Sequence, residues 1–352
     1  LLALLVYACS AILTARPRRL LPLPGYRETL GENLVLRTVR DERDAEAYAS
    51  FIGTVTQPVA TPTCALMLRH HPHMTYDDYL LVEDERNHTV VSTTCLIPRR
   101  CCYEDVALDV AQLEAVGTHR AYRGRGLIRA QMRRFHDMVR ERGFDLSIIE
   151  GIPYYYRQYG YNYCLDLRAF DWLPAWRIPD EPANASRGYD LRPALVGDVP
   201  ALTQLYHQAM AEVQIHALRD EAEWRYAIEW LRYPVRMIVD RRYGEIVGYI
   251  CTSKAGPGGR DTKVVESAIA SHEVAMATLR ILKQETGGEI QLDWPQLATL
   301  VQAGRSLGSV PNPAYQWLLR ITDVGRLLTK IQPVLERRVA ASAFAGLQQI
   351  SA

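Results

Sequence analysis

A segment rich in glycine and arginine, Ala121–Gln131 (AYRGRGLIRAQ), lies at the start of a predicted helix. Glycine lets the backbone approach a ligand closely, and the first N–H groups of a helix have no partner within that helix. Together these features are typical of a site for phosphate or another anion. Arg123 and Arg125 would add positive charge at its rim. The alternative interpretation is an ordinary strand-to-helix turn with solvated arginine side chains.

Two common phosphate-binding patterns do not fit this segment. A Walker A loop ends in Gly-Lys-Ser/Thr, and the segment contains no such triplet. A dinucleotide fingerprint needs a small residue where Arg129 follows Gly124 and Gly126, because helix and strand pack closely there. The interpretation that is left is a cradle of backbone N–H groups for a pyrophosphate, such as that of coenzyme A.

The elements around the segment predict a β-α-β unit. Leu113–Thr118 (LEAVGT) is a predicted strand, and the helix over 126–142 has apolar residues at steps of four, three and four. The strand Phe144–Ile149 (FDLSII) follows, so the two strands should be parallel neighbours. Upstream, Tyr79–Glu83 and Thr89–Ile97 predict an antiparallel hairpin.

This context resembles the GNAT superfamily of acyl-CoA-dependent N-acyltransferases, whose signature R/Q-x-x-G-x-G/A opens the third helix of its fold. Arg123, Gly126 and Ile128 occupy the signature positions. Ile128 departs from the small residue, and YRGRGLIRAQM is similar to the form found in the Eis-like (enhanced intracellular survival) branch. The resemblance implies that acetyl-CoA is the co-substrate. It implies a pyrophosphate site at Arg123, Gly124, Arg125, Gly126, Leu127 and Ile128, and a pantetheine site at Val116, Gly117 and Thr118.

The resemblance also implies the fold and the domains. We expect an α/β (α+β) fold with a mixed, mostly antiparallel GNAT sheet and a central parallel strand pair, repeated as a second, degenerate GNAT-like domain. The predicted parts are an N-terminal extension of undetermined status (1–32), a catalytic GNAT domain (33–178), the degenerate domain (188–310) and the start of a truncated sterol-carrier-like domain (313–352). The second repeat has no glycine and arginine cluster, so we expect no coenzyme A there.

The tyrosine-rich segment at 150–164 (EGIPYYYRQYGYNYC) carries the candidate general acid. In the family it resembles, a tyrosine four residues before a Gly-aromatic pair lies beside the sulfur of coenzyme A. Tyr156 has this position relative to Gly160 and Tyr161. A phenol with a pKa of about 10 can protonate a departing thiolate. For most of these tyrosines, an aromatic packing layer is the alternative.

A general base must take a proton from the attacking ammonium. Glu114 and Glu150 lie on the two neighbouring parallel strands, and His119 follows the first of them. Each could act through water, and each also suits a structural or solvated role. In the Eis-like branch the base is the terminal carboxylate of the third domain, and we do not transfer that role to Ala352.

The prediction is therefore an acetyl-CoA-dependent N-acetyltransferase in which a primary amine attacks the thioester directly. The expected partner is an amine-bearing small molecule or peptide, and a homo-oligomer is compatible with the resemblance. The alternative function is a non-catalytic acyl-CoA-binding sensor or regulatory module.

Composition sets limits on the other partners. The chain has 352 residues, 48% hydrophobic and 23% charged, with a formal net charge of +1, so no nucleic-acid partner is expected. Seven cysteines without a C-x-x-C pair suit a reducing cytoplasm. The apolar run at 1–13 is short for a membrane span, and positive charges follow it, so no membrane is expected; a truncated anchor is the alternative.

The histidine-rich stretch HHPH (His70, His71 and His73) has no cysteine or carboxylate at ligand spacing. We interpret it as a surface loop and predict no metal.

Overall fold

The computed structural model describes residues 25–166, 170–180, 188–231, 234–255, 259–292, 298–313 and 315–343. The apolar run at 1–13, most of the predicted 1–32 extension and Ala352 lie outside the described residues.

Strands and helices alternate along much of the chain. The strands are β1 (Arg27–Gly31), β2 (Leu34–Thr38), β3 (Tyr79–Asp84), β4 (Thr89–Tyr103), β5 (Val106–Thr118), β6 (Leu146–Ile149), β7 (Asn162–Asp166), β8 (Asp171–Pro174), β9 (Tyr189–Pro193), β10 (Ile215–Ala217), β11 (Val235–Asp240), β12 (Ile246–Ala255), β13 (Asp261–Ile269), β14 (Glu289–Leu292), β15 (Val310–Pro311) and β16 (Gln316–Ile321). The helices are α1 (Glu42–Val55), α2 (Ala60–His70), α3 (Leu127–Glu141), α4 (Val199–Met210), α5 (Glu221–Glu229), α6 (His272–Glu285), α7 (Thr299–Ser306) and α8 (Val324–Ala340).

The first sheet has the strand order β1-β2-β3-β4-β5-β6-β16-β7, and β10 pairs with the far end of β4. Its neighbours are antiparallel except β5 and β6, which are parallel and joined by α3. The predicted β-α-β unit and the predicted hairpin of β3 and β4 are therefore confirmed. The α/β (α+β) fold class, with a mostly antiparallel sheet around a parallel pair, is confirmed as well.

The second sheet repeats this plan with the order β15-β8-β14-β13-β12-β11-β9. β13 and β14 are parallel, and α6 connects them as α3 connects β5 and β6. The chain therefore contains two sheets with the same central unit, as the sequence predicted.

Each sheet takes a strand from beyond the predicted domain boundaries. β16, predicted within 313–352, lies between β6 and β7 of the first sheet, and β8, predicted within 33–178, belongs to the second. The predicted boundaries thus do not coincide with the limits of the sheets. The physical reason is that β16 covers the edges of both β6 and β7 and buries Leu318 completely. The sterol-carrier-like assignment of 313–352 stays a prediction.

Helices cover both faces of the first sheet. Phe135 and Val139 of α3 are fully buried on one face, and Tyr48 and Ile52 of α1 are fully buried on the other. α8 adds Leu327 to an apolar cluster at the start of β5 and β6. Within the described ranges, no helix combines the length and the apolar character that crossing a bilayer would need.

Candidate active site

A cleft opens where the parallel strands β5 and β6 separate. Their pairing ends at Gln112 and Ile148, although β5 continues to Thr118. Ala115 has a φ of +51°, a left-handed conformation that strains a residue with a side chain. The register between β4 and β5 shifts at the same point, as in a β-bulge, which bends a strand. The two strands therefore part before Glu114, although β5 continues to Thr118.

The predicted pantetheine site, Val116–Thr118, borders this cleft and is half-buried. β4 pairs with one edge of the run, and β6 does not reach its other edge. Gly117 has no room for a side chain, because an added Cβ would lie 2.6 Å from Val55 Cγ2. An extended ligand could therefore lie along β5 as a strand does.

The glycine-rich segment forms an exposed turn at the same end of β5. Gly124 and Gly126 have φ values of +80° and +74°, and nothing lies within 4 Å of a Cβ built on either. Conformation, and not lack of space, therefore favours glycine at both positions. Gly126 is the N-cap of α3 and has no side chain to cap the helix. The first N–H groups of α3 are thus left for another acceptor.

Both predicted rim arginines are exposed beside this turn. Arg123 Nε donates to the Thr118 carbonyl oxygen at 3.4 Å, which ties the turn to the end of β5. Arg125 Nη1 donates to Glu32 Oε2 at 3.0 Å, and its guanidinium lies 5.1 Å from the centre of the Tyr122 ring. Their positive charge suits a pyrophosphate in the turn.

Tyr156 lies in a short 3-10 turn, Tyr155–Tyr159, and is 4% exposed. Its ring packs on Gly151, where an added Cβ would lie 2.3 Å from the ring carbons. Burial raises the pKa of Tyr156 well above its ordinary value, and the negative charge of Glu114 adds to the shift. The phenol therefore stays protonated at neutral pH, as a general acid must.

Glu114 is 8% exposed and lies opposite Cys95 of β4. Gln112 Nε2 donates to its Oε1 at 3.0 Å. Burial is the main reason why the pKa of Glu114 is raised to about 8; the hydrogen bond from Gln112 opposes this rise, and the charge of Glu150 contributes to it. A carboxyl group with this pKa can take up and release a proton near neutral pH. Glu114 therefore interacts electrostatically with both Glu150 and Tyr156. Glu150 follows the end of β6 and is not part of that strand, and the roles of the two glutamates stay predictions.

His119 was a candidate base in the sequence analysis, and Tyr315 was not. His119 is exposed, and its Nδ1 accepts a hydrogen bond from Ala121 N at 3.3 Å, so it caps the turn outside the cluster of Glu114 and Tyr156. Tyr315, which the sequence analysis did not select, donates from Oη to the Gly151 carbonyl oxygen at 2.6 Å. It lies beside β16, so no local sequence signal could have placed it here.

The histidine-rich stretch also contacts distant residues. His73 Nε2 lies 2.8 Å from Asp220 Oδ2, and Glu223 completes a group whose donor atoms lie within 4.8 Å of one another. Asp220 and Glu223 also form a capping box at the start of α5, which uses one oxygen of each carboxylate. The carboxylates that the sequence lacked near His73 thus come from the second half of the chain.

The family comparison agrees with this geometry. The model of the acetyltransferase (GNAT) domain matches residues 36–164. The chain carries a GNAT acetyltransferase domain. This GNAT domain contains the glycine-rich turn, Glu114 and Tyr156, and it makes the chain an acyltransferase.

Solved structures resemble the chain well beyond the GNAT domain. A GCN5-related N-acetyltransferase from Anabaena variabilis is 16% identical, with a TM-score of 0.60 over 83% of this chain and 73% of that chain. Eis1 from Mycobacterium abscessus is 14% identical, with a TM-score of 0.56 over 84% and 75%. N-myristoyltransferase from Saccharomyces cerevisiae, solved with myristoyl-CoA, is 9% identical, with a TM-score of 0.61 over 85% and 80%. At these identities the likeness is one of fold. No curated protein matches the chain.

Proposed function

We propose that the chain transfers the acetyl group of acetyl-CoA to a primary amine. The observation that supports the proposal is that Glu114 and Tyr156 are both buried and interact electrostatically where β5 and β6 part. One group has a pKa of about 8, and burial keeps the other protonated. A base and an acid of this kind are what direct aminolysis of a thioester requires.

The acetyl-CoA site has two parts. The turn from Arg123 to Ile128 binds the pyrophosphate through backbone N–H groups at the uncapped start of α3. Val116–Thr118 pairs with the pantetheine arm along the free edge of β5. The left-handed glycines of the turn and the early end of β6 support this arrangement.

The reaction needs no covalent enzyme intermediate. The Glu114 carboxylate accepts a proton from the substrate ammonium, directly or through water. The amine nitrogen then attacks the thioester carbonyl carbon, the C–S bond breaks, and Tyr156 Oη donates its proton to the leaving sulfur. The nitrogen is positively charged after the attack and releases its second proton to water. The products are an acetamide and coenzyme A as the free thiol. Proton exchange with water restores the Glu114 carboxylate and the Tyr156 phenol.

The second half binds no coenzyme A in this proposal and forms a wall of the amine site. Its β10 pairs with β4, and its α5 reaches His73 through Asp220. A chain cut between the two sheets would lose β16 from the first sheet, so the second half has to be tested by substitution.

The amine is a small molecule or a peptide group, and the setting is the cytoplasm. The six described cysteines are free thiols, which supports a reducing compartment.

The test is thiol release from acetyl-CoA by the full chain across a panel of primary amines, with Tyr156→Phe and Tyr159→Phe compared. Tyr159 lies in the same turn, with its ring 6.5 Å from that of Tyr156, and serves as the matched control. We expect amine-dependent release that falls about a hundredfold or more in Tyr156→Phe only, with acetyl-CoA affinity retained. Binding of acetyl-CoA without release for any amine would contradict the proposal and favour a sensor.

A further inference from the structure

We propose that Gln112 and Arg99 are positioning residues that hold the Glu114 carboxylate toward the amine. The proposal rests on the proposed function, in which Glu114 is the base.

The side-chain amide of Gln112 connects Glu114, which accepts a hydrogen bond from it, with Arg99, which donates one to it. Its Nε2 donates to Glu114 Oε1 at 3.0 Å, and its Oε1 accepts from Arg99 Nε at 3.0 Å. A guanidinium can only donate, so Arg99 fixes the carbonyl end of the amide toward itself and the NH₂ end toward Glu114. Gln112 and Glu114 are two residues apart on β5 and therefore share one face of the sheet.

Burial makes this arrangement costly to disturb. Gln112 is 5% exposed and Glu114 is 8% exposed, so water cannot readily replace either hydrogen bond. A Glu114 carboxylate without the amide would rotate among conformations that do not face the cleft. The hydrogen bond therefore selects the orientation that the reaction uses.

Arg99 also interacts electrostatically with α5 of the second half. The charge of Arg99 lowers the pKa of Glu223, which burial otherwise raises. Glu223 Oε2 accepts from Asp220 N at 3.1 Å, and Asp220 Oδ2 lies 2.8 Å from His73 Nε2. The start of α5 thus contacts the residues that follow α2 through the pair of Asp220 and His73.

The direction of the effect on pH follows from the groups that act on Glu114. Burial and the charge of Glu150 raise its pKa, whereas the hydrogen bond from Gln112 and the charge of Arg99 lower it. Cys95 and Tyr156 are its other titratable neighbours. Loss of the Gln112 hydrogen bond therefore moves the pKa of Glu114 further upward. Less of the base is then ionised at pH 7, so the deficit is largest near neutral pH and becomes smaller at higher pH.

The experiment compares Gln112→Leu with Gln291→Leu, a glutamine on β14 that is 7% exposed and far in sequence from the GNAT domain. Thiol release is measured from pH 6 to 10 with the full chain, acetyl-CoA and the best amine of the panel. We expect kcat/KM at pH 7 to fall about tenfold in Gln112→Leu, with the rising limb moved upward by about one pH unit. Acetyl-CoA affinity and the profile of Gln291→Leu should be unchanged.

Arg99→Lys provides a second test if Gln112→Leu folds poorly. It retains the charge and loses the Nε contact, so we expect a smaller upward shift of the same limb. A uniform loss at every pH, or an unchanged profile in both variants, would overturn the positioning role.

A readout without turnover separates this proposal from the proposed function. The protonated Glu114 carboxyl gives an infrared carbonyl band, identified by its loss in Glu114→Gln. If no amine is acetylated, the proposed function fails. The titration of this band in Gln112→Leu then decides the positioning role, which is supported by a higher midpoint and overturned by an unchanged one.

Discussion

The two parallel β-α-β units of the chain share one arrangement of strands. They differ in the polar groups that surround an equivalent glutamate. In each, a glutamate lies two residues beyond the last parallel pair: Glu114 follows Gln112 on β5, and Glu266 follows Val264 on β13. Each glutamate also lies opposite a cysteine of the neighbouring antiparallel strand, and the register shifts beside that pair. The same position thus occurs twice and can be compared directly.

The partners of the two glutamates differ. Glu266 is fully buried and accepts from Arg219 Nη1 and Nη2 at 3.0 and 2.8 Å and from Tyr249 Oη at 2.5 Å. Glu114 accepts from the neutral amide of Gln112, and burial raises its pKa to about 8. An ion pair makes the second carboxylate a core residue, whereas the first can exchange a proton.

The turns before the two crossover helices differ as well. Eight residues, 119–126, connect β5 to α3, and the N-cap glycine cannot cap the helix. Two residues connect β13 to α6, and Ser271 Oγ accepts from Val274 N at 3.3 Å. The second helix is therefore capped by its own chain, and the first leaves its N-terminus for an anion.

Substitution of the buried ion pair should give the largest effect on stability. Glu266→Gln leaves the Arg219 charge buried without its counterion, so we expect the free energy of unfolding to fall by about 3–5 kcal/mol in urea. Glu114→Gln removes no ion pair and should leave stability at pH 7 unchanged or higher. Equal losses in the two variants would contradict the difference between the units.

The second-largest effect should be on the pH dependence of stability, in which the glutamate of the first unit takes part. The pKa of Glu114 is about 8 in the folded protein against an ordinary 4.5, so folding favours its protonated form. Its contribution to stability is complete below the ordinary value and is lost as pH rises through 8. We therefore expect Glu114→Gln to lose less stability than the unsubstituted chain between pH 5 and 9 in urea titrations. Parallel curves would show that Glu114 is not a titrating group here.

Two glycines allow a matched test of the anion-binding turn. Gly126 and Gly244 have φ values of +74° and +73°, and a Cβ on either meets nothing within 4 Å. Alanine should cost each position about 1 kcal/mol of folding free energy. Only Gly126→Ala should weaken acetyl-CoA binding, by about tenfold in calorimetry, because it disturbs the turn before α3. An equal effect of Gly244→Ala would exclude a specific role for the turn.

The parts of the candidate site that depend on a local sequence pattern could be predicted from the sequence. The glycines at 124 and 126 require left-handed backbone, and the helix after them has a regular apolar period, so turn and helix could be predicted together. Tyr156 was selected because its position relative to Gly160 matches the pattern of the family that the sequence resembles, and its role as general acid stays a prediction. The parallel pairing of β5 and β6 followed from the crossover rule.

Features that depend on residues far apart in the sequence left no local sequence pattern by which they could be predicted. β16 inserts between β6 and β7, and Tyr315 beside it reaches Gly151, because two strand edges needed covering. The sequence named Glu114 only as one of several possible bases. Its distinction from Glu266 depends on which side chains the fold brings to each, and Arg219 and Gln112 could not be assigned to them beforehand.

The most direct test of the difference between the two units is the stoichiometry of acetyl-CoA binding to the full chain, measured by calorimetry on the unsubstituted protein and on Gly126→Ala. The account predicts one molecule bound per chain, with affinity reduced in Gly126→Ala. Two molecules per chain, or a single site that does not respond to Gly126→Ala, would contradict it.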